Sequence, residues 1–189
     1  MILVLLAILC LASVPLTGGS LGRLAELRLR RLWITPAALL LQVVITEIVP
    51  GYSHALLAAL HIVSYCLIVG FLWSNRGIPG ARVITAGTLS NMLVILANGG
   101  VMAASKTAER LAGLSVGAGF HNTAVQAHPH LLWLGDIIPV PGPLPNVLSV
   151  GDCLIFAGML VLLHRSCHSQ VTQERQLPRA QVGTEPVGS

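Results

Sequence analysis

Charge is what this sequence has least of. Only 10% of its 189 residues are charged, against about a quarter in an ordinary soluble domain. Hydrophobic residues make up 54%, and the mean hydropathy is +0.79. A water-soluble globule of this size could not hide so much apolar side chain, so the composition points to a multi-pass membrane protein. Cysteine is also sparse. Cys10, Cys66, Cys153 and Cys167 are scattered without CxxC spacing, which argues against a disulfide framework or a cysteine metal site. The basic excess, a formal +4, is distributed between apolar runs and forms no single face or tail. That pattern argues against a nucleic-acid partner. No phosphate-cradling Gly-rich Lys motif, HExxH or GxSxG occurs, so nucleotide hydrolysis and the common zinc and serine hydrolyses have no support.

What is present is a set of apolar runs. Five stand out, at 1–17, 32–50, 54–73, 81–98 and 147–164. Four have about the length that crosses a ~30 Å hydrocarbon layer at 1.5 Å per residue. The first is shorter and meets Pro15. It has no basic segment before it, so it reads as a retained span and not as a cleaved leader. The expected fold class is therefore all-α: a polytopic helix bundle with five transmembrane helices and one long extracytoplasmic loop. Residues 1–165 form the membrane domain, and 166–189 read as a disordered cytoplasmic tail.

Orientation follows from where Lys and Arg fall. Arg23, Arg28, Arg30, Arg31, Arg76, Arg82, Arg165, Arg175 and Arg179 lie on one side of the five spans, and Lys106 and Arg110 on the other. Nine against two places the amino terminus outside and the carboxyl terminus in the cytoplasm of a plasma-membrane protein. Residues 20–31 read either as a short amphipathic interfacial helix capped by Ser20 or as a plain basic loop. In the long loop, "SKTAERLAGL" reads as a small helix. "HLLWLGDII" is too short to span and reads as interfacial or re-entrant around 131–140, with Trp133 at headgroup depth. Alternate prolines at 139, 141, 143 and 145 then favour an extended run, and Asn146 is a candidate cap for the last span.

Polar residues inside the spans recur at helical spacing. Gly87, Asn91 and Asn98 share one stripe of the fourth span, with Thr88 at its edge. His54, Ala58, His61 and Tyr65 mark the third span, and Thr35, Leu39, Gln42 and Thr46 the second. Gly151 and Gly158 in the fifth would let a neighbouring backbone approach closely. Buried amides in membrane bundles usually act as interhelical glue, worth about 0.6 kcal/mol each. For Asn91, Asn98, Asp136 and Asp152 a ligand site is the competing reading. Asp152 is the acidic residue set furthest inside a span, and the macrodipole near a helix start favours its anion. Glu47 and His54 flank an outer hairpin and are positioned to pair at the interface. In the long loop, His121, His128, His130 and Asp136 are possible metal ligands, but loop histidines are more commonly just exposed, and no metal or other cofactor is expected.

"GGSLGRLAELRLR", "NMLVILANGG" followed by Met102, "LGDIIPVP" and "VLSVGD" together resemble one family of bacterial integral membrane proteins, domain of unknown function 5317. The resemblance covers about residues 1–165 and implies a small polytopic membrane protein with no catalytic residues to carry over. Ala103 stands where the family pattern has proline.

Three function classes remain. One is a membrane protein binding an ion, lipid or small solute in an outward-facing polar pocket. The second is a structural or assembly partner, for another membrane protein or for further copies of itself, whose polar stripes only pack. The third is an intramembrane aspartyl hydrolase using Asp136 and Asp152. "SVGD" lacks the first glycine of the GxGD pattern, because Ser149 stands there, so this class ranks last. The topology is testable by labelling single cysteines from outside intact cells. Ser105→Cys is expected to react and Ser189→Cys to stay protected; external labelling at 189 overturns the assignment.

Overall fold

The computed structural model describes residues 2–43, 54–114, 123–124 and 128–168. Thr46, Glu47, the 50–53 hairpin, His121 and the tail from 169 lie outside the described residues, as do the side chains of Leu39, Gln42 and His54. The protein is mostly helical. Helices α1 (Ile2–Leu16), α2 (Ile34–Val43), α3 (His54–Ser74) and α4 (Ala81–Ala97) precede short β1 (Met102–Ala103), α5 (Lys106–Ala112) and β2 (Thr123–Ala124). Then come β3 (Asp136–Val140), β4 (Asn146–Ser149) and α6 (Val150–His168). Among the described residues one helix, α6, is long and apolar enough to cross a membrane, with 19 residues and a window hydropathy of 1.5. Leu5–Leu16, Ala58–Ser74 and Ala81–Ala97 are apolar but shorter.

The spine is the antiparallel pair α4–α6. Its closeness comes from glycine, which lets two backbones meet where any side chain would hold them apart. A Cβ on Gly87 would lie 2.5 Å from the Gly151 carbonyl oxygen and 2.9 Å from the Ile155 nitrogen. Reciprocally, a Cβ on Gly151 would collide with the Asn91 amide. Two turns further along α6, Gly158 sits against Ile84 in the same way. The faces are sorted inversely to those of a soluble helix. Thr85, Thr88, Ser90 and Asn91 are buried, whereas Leu93 and Leu96 are 51% and 45% exposed.

The other elements pack around this pair. Cys10 and Val14 of α1 join Leu163 and Cys167 of α6 in one buried cluster. Ser13 Oγ meets His164 Nε2 at 2.9 Å across the same junction, and Arg23 donates to the Cys167 carbonyl at 2.8 Å. The far end of α4 closes with Gly99 at φ +70 and the Gly100 amide donating 2.8 Å to the Ile95 carbonyl. Left-handed backbone at that position suits glycine, which accounts for the "NGG" ending.

The long loop between α4 and α6 differs from the expected all-α picture. Its prolines do not form a free extended run: β3 pairs antiparallel with β4, Pro139 opposite Val147. Proline fits an edge position because it has no ladder donor to lose. The hairpin occupies residues first assigned to the last span, so that helix starts at Val150 and not at 147. Asn146 lies in β4, and the cap role falls to Ser149. The stretch expected to be interfacial or re-entrant is a 3-10 turn, Leu132–Leu134, leading into β3, with Trp133 66% exposed. The helix expected at "SKTAERLAGL" is α5, whose cap Ser105 accepts from the Ala108 amide.

Gly87→Val places methyl groups against backbone that cannot move aside, and overpacking of this kind costs about 1–3 kcal/mol. The expected outcome is a lower melting temperature in detergent. An exposed control on the same helix, Leu89→Val, should melt close to wild type.

Candidate functional site

Asn91 points from α4 at the first turn of α6, where Ser149 and Asp152 form a capping box. The Ser149 hydroxyl accepts from the Asp152 amide at 2.9 Å, and the Ser149 amide donates to Asp152 Oδ2 at 3.0 Å. Two orphan donors of the helix start are thereby satisfied. Asn91 closes the ring across the helix interface. Its Nδ2 donates to Asp152 Oδ1 at 2.9 Å, and its Oδ1 accepts from the Ser149 hydroxyl at 2.9 Å. The carboxylate stands at the positive end of the α6 dipole, which favours its charge.

Asp152 is held from two sides. Both of its oxygens already hold donors supplied by the fold, one from a neighbouring helix and one from its own cap. An aspartyl hydrolase needs two carboxylates sharing a proton around a water. Asp136 lies on β3, its Cα paired with that of Ser149, and its carbonyl accepts from the Ser105 amide at 2.9 Å. It belongs to a strand, not to a facing helix. Asp136 and Asp152 are nevertheless at the same end of the molecule, both within electrostatic range of the Tyr65 phenol.

Asn98 is not part of this ring. Its Nδ2 donates to the Val94 carbonyl at 2.7 Å and to the His130 carbonyl at 2.8 Å, while its Oδ1 accepts from the His130 amide at 2.9 Å. It thus pins the long loop to the end of α4. The two asparagines that share a stripe therefore hold different parts of the chain. A third, Asn75, does the same beyond the end of α3. It accepts from the Arg30 amide at 2.8 Å and donates to the Arg30 carbonyl at 2.9 Å. Asn75 was not singled out from the sequence, since a lone Asn after an apolar run carries no signature. Ser149 was noted there as a missing glycine, although S-x-x-D before an apolar run is itself a helix-start signal.

A second feature lies further along the bundle from this ring. Ile34, Thr35 and Ala38 of α2, Tyr65, Ile68, Phe71 and Leu72 of α3, and Ile84 and Thr88 of α4 enclose, with Ile155, a crevice of about 440 Å³. That size is within the range of small-molecule sites. Tyr65 stands between crevice and clasp, and also packs on the cluster of Val94 and Met102. His61, buried beside it, meets the Tyr65 ring in a tilted contact with centroids 5.3 Å apart and bonds the Gly100 backbone. No group of three or more His, Cys, Asp or Glu side chains with metal-binding geometry occurs among the described residues.

Fold and site together define a mostly helical protein with a span-length helix clasped to its neighbour by a buried polar ring. By sequence the chain belongs to the family of unknown function DUF5317, whose model matches residues 26–164. It is also similar to an uncharacterized protein of Thermotoga maritima, 34% identical over 97 residues. That match covers 50% of this chain and 56% of the relative, so the chain spans little more than half the length of that protein. No solved structure matches it.

Because Asn91 and Asp152 act on one another, their effects on stability should not add. In a double-mutant cycle, Asn91→Ala and Asp152→Ala are expected to show a coupling of about 1–2 kcal/mol. Asp152→Asn should cost less than Asp152→Ala, since asparagine still accepts at a helix start. Additive losses would mean that the ring does not hold the two helices together.

Proposed function

We propose that the protein is a five-span plasma-membrane protein, amino terminus outside and carboxyl terminus in the cytoplasm, that binds a membrane lipid between its helices. The membrane reading rests on the inverted faces of α4, on the span-length α6 and on the sidedness of the arginines. In hydrocarbon, polar groups turn inward to find partners and leucine turns outward at no cost. The lipid reading is carried by one observation: among the described residues, a crevice of about 440 Å³ lies between apolar side chains of the bundle. An ion or small polar solute would need donors or charges that are free to receive it. Asp152, Asn91 and Ser149 are turned toward each other, which supports a structural use of these side chains over the outward polar pocket expected from the sequence. The crevice offers apolar walls with Thr35, Thr88 and Tyr65 among them, a surface suited to an acyl chain.

A scaffold role with no ligand is the competing reading, favoured by the completeness of the clasp. The two separate on whether the crevice is filled by a molecule from the membrane. Thr35 is exposed and lines the crevice, so Thr35→Trp can occupy it without disturbing the α4–α6 core. Wild type purified in mild detergent is expected to carry lipid at about one per chain by native mass spectrometry, and Thr35→Trp to carry little. A wild type free of bound lipid would leave the scaffold reading standing.

A further inference from the structure

We infer that the crevice selects an anionic phospholipid of the cytoplasmic leaflet, with an acyl chain between α2, α3 and α4 and the phosphate held by Arg30, Arg31 and Arg76. This rests on the lipid-binding reading above and adds the headgroup and the residues that read it.

The crevice and the arginines occupy the same end of the molecule. Its walls are the start of α2, the last turns of α3 and the start of α4. Arg31 lies three residues before Ile34, and its carbonyl accepts from the Ile34 amide at 3.0 Å. Arg76 follows Leu72 by four residues, in the turn just past the end of α3. Arg30, Arg31 and Arg76 are exposed. Among the described residues the acidic side chain on this side is Glu26, facing seven arginines, at 23, 28, 30, 31, 76, 82 and 165.

The arrangement is fixed. Asn75, 6% exposed, takes both the amide and the carbonyl of Arg30, which clamps the basic loop to the end of α3 beside Arg76. Arg31 sits at φ +57, a conformation uncommon for a residue with a side chain. Such a backbone persists only where its surroundings enforce it and is a pointer to function. The Arg76 guanidinium lies 5.1 Å over the Trp73 ring, which keeps the charge at the height where tryptophan meets headgroups. Trp33 and Trp73 are 67% and 61% exposed, flanking the mouth as interfacial anchors. Guanidinium groups suit phosphate because their paired donors match two of its oxygens.

Along α3 the crevice runs from Leu72 to Tyr65, about 10 Å, enough for part of one acyl chain. A lipid entering from the cytoplasmic leaflet would place its phosphate at the arginines while its chain reaches Tyr65. A zwitterionic lipid would fit the crevice equally but would bring its own cation toward the arginines. Charge therefore sets the preference.

The test uses the purified full chain exchanged into detergent with phosphatidylglycerol or phosphatidylcholine, reading bound lipid by native mass spectrometry and stability by thermal melting. Phosphatidylglycerol should be retained at one per chain and raise the melting temperature, and phosphatidylcholine should do neither to the same degree. Arg30→Gln, Arg31→Gln and Arg76→Gln should each weaken phosphatidylglycerol retention about fivefold, the expected contribution of one basic residue at a membrane surface. Arg165→Gln, on the same side but ten residues beyond Ile155, should leave retention unchanged. Equal retention of both lipids, still lost in Thr35→Trp, would overturn the headgroup assignment and leave the lipid-binding reading intact. Equal weakening by Arg165→Gln would also overturn it, showing general surface attraction. No retained lipid of either kind would remove both readings.

Discussion

The structure depends on one constraint: an amide among apolar side chains must find its partners within the protein. Removing a buried group from water without replacing its hydrogen bonds costs several kcal/mol. Three asparagines meet this requirement in three places. Asn91 closes the capping box of α6, Asn98 holds His130, and Asn75 holds Arg30. Each uses both ends of its amide, so each fixes orientation as well as proximity. Together they tie α4 to α6, the long loop to α4, and the basic loop to α3.

Glycine makes the first of these ties possible. Asn91 reaches the α6 cap because Gly87 and Gly151 let the two helices approach to backbone distance. The packing and the polar ring are therefore one device. It engages both oxygens of Asp152, the acidic residue that looked most like a ligand site. Among the described residues, a crevice lies where α2 and α3 meet the start of α4, lined by residues such as Ile68 and Ile84 that carry no motif.

On this view the molecule is polarised along its bundle. One end is occupied by the clasp, the β3–β4 hairpin and the pinned loop. The opposite end combines an apolar crevice with exposed arginine and tryptophan. The family match covers both ends, from residue 26 to 164, and the crevice gives that family a candidate ligand site.

The sequence by itself determined the helical character, the places of α3, α4 and α5, and the inward stripe of Gly87, Thr88 and Asn91. These are local properties: apolar run length, helical period and terminal glycine act over a few residues and can be read in a row. It also placed Asn98 at a helix end beside the long loop. The tertiary structure decided the rest. Whether Asp152 would meet Asn98, a ligand or Asn91 depends on the register of two helices about 60 residues apart in sequence, which no single span encodes. The hairpin of β3 and β4 likewise needs two segments to find each other, and their pairing moved the start of α6 to Val150. The crevice is lined by ordinary isoleucines, and no residue type announces an empty space between four helices.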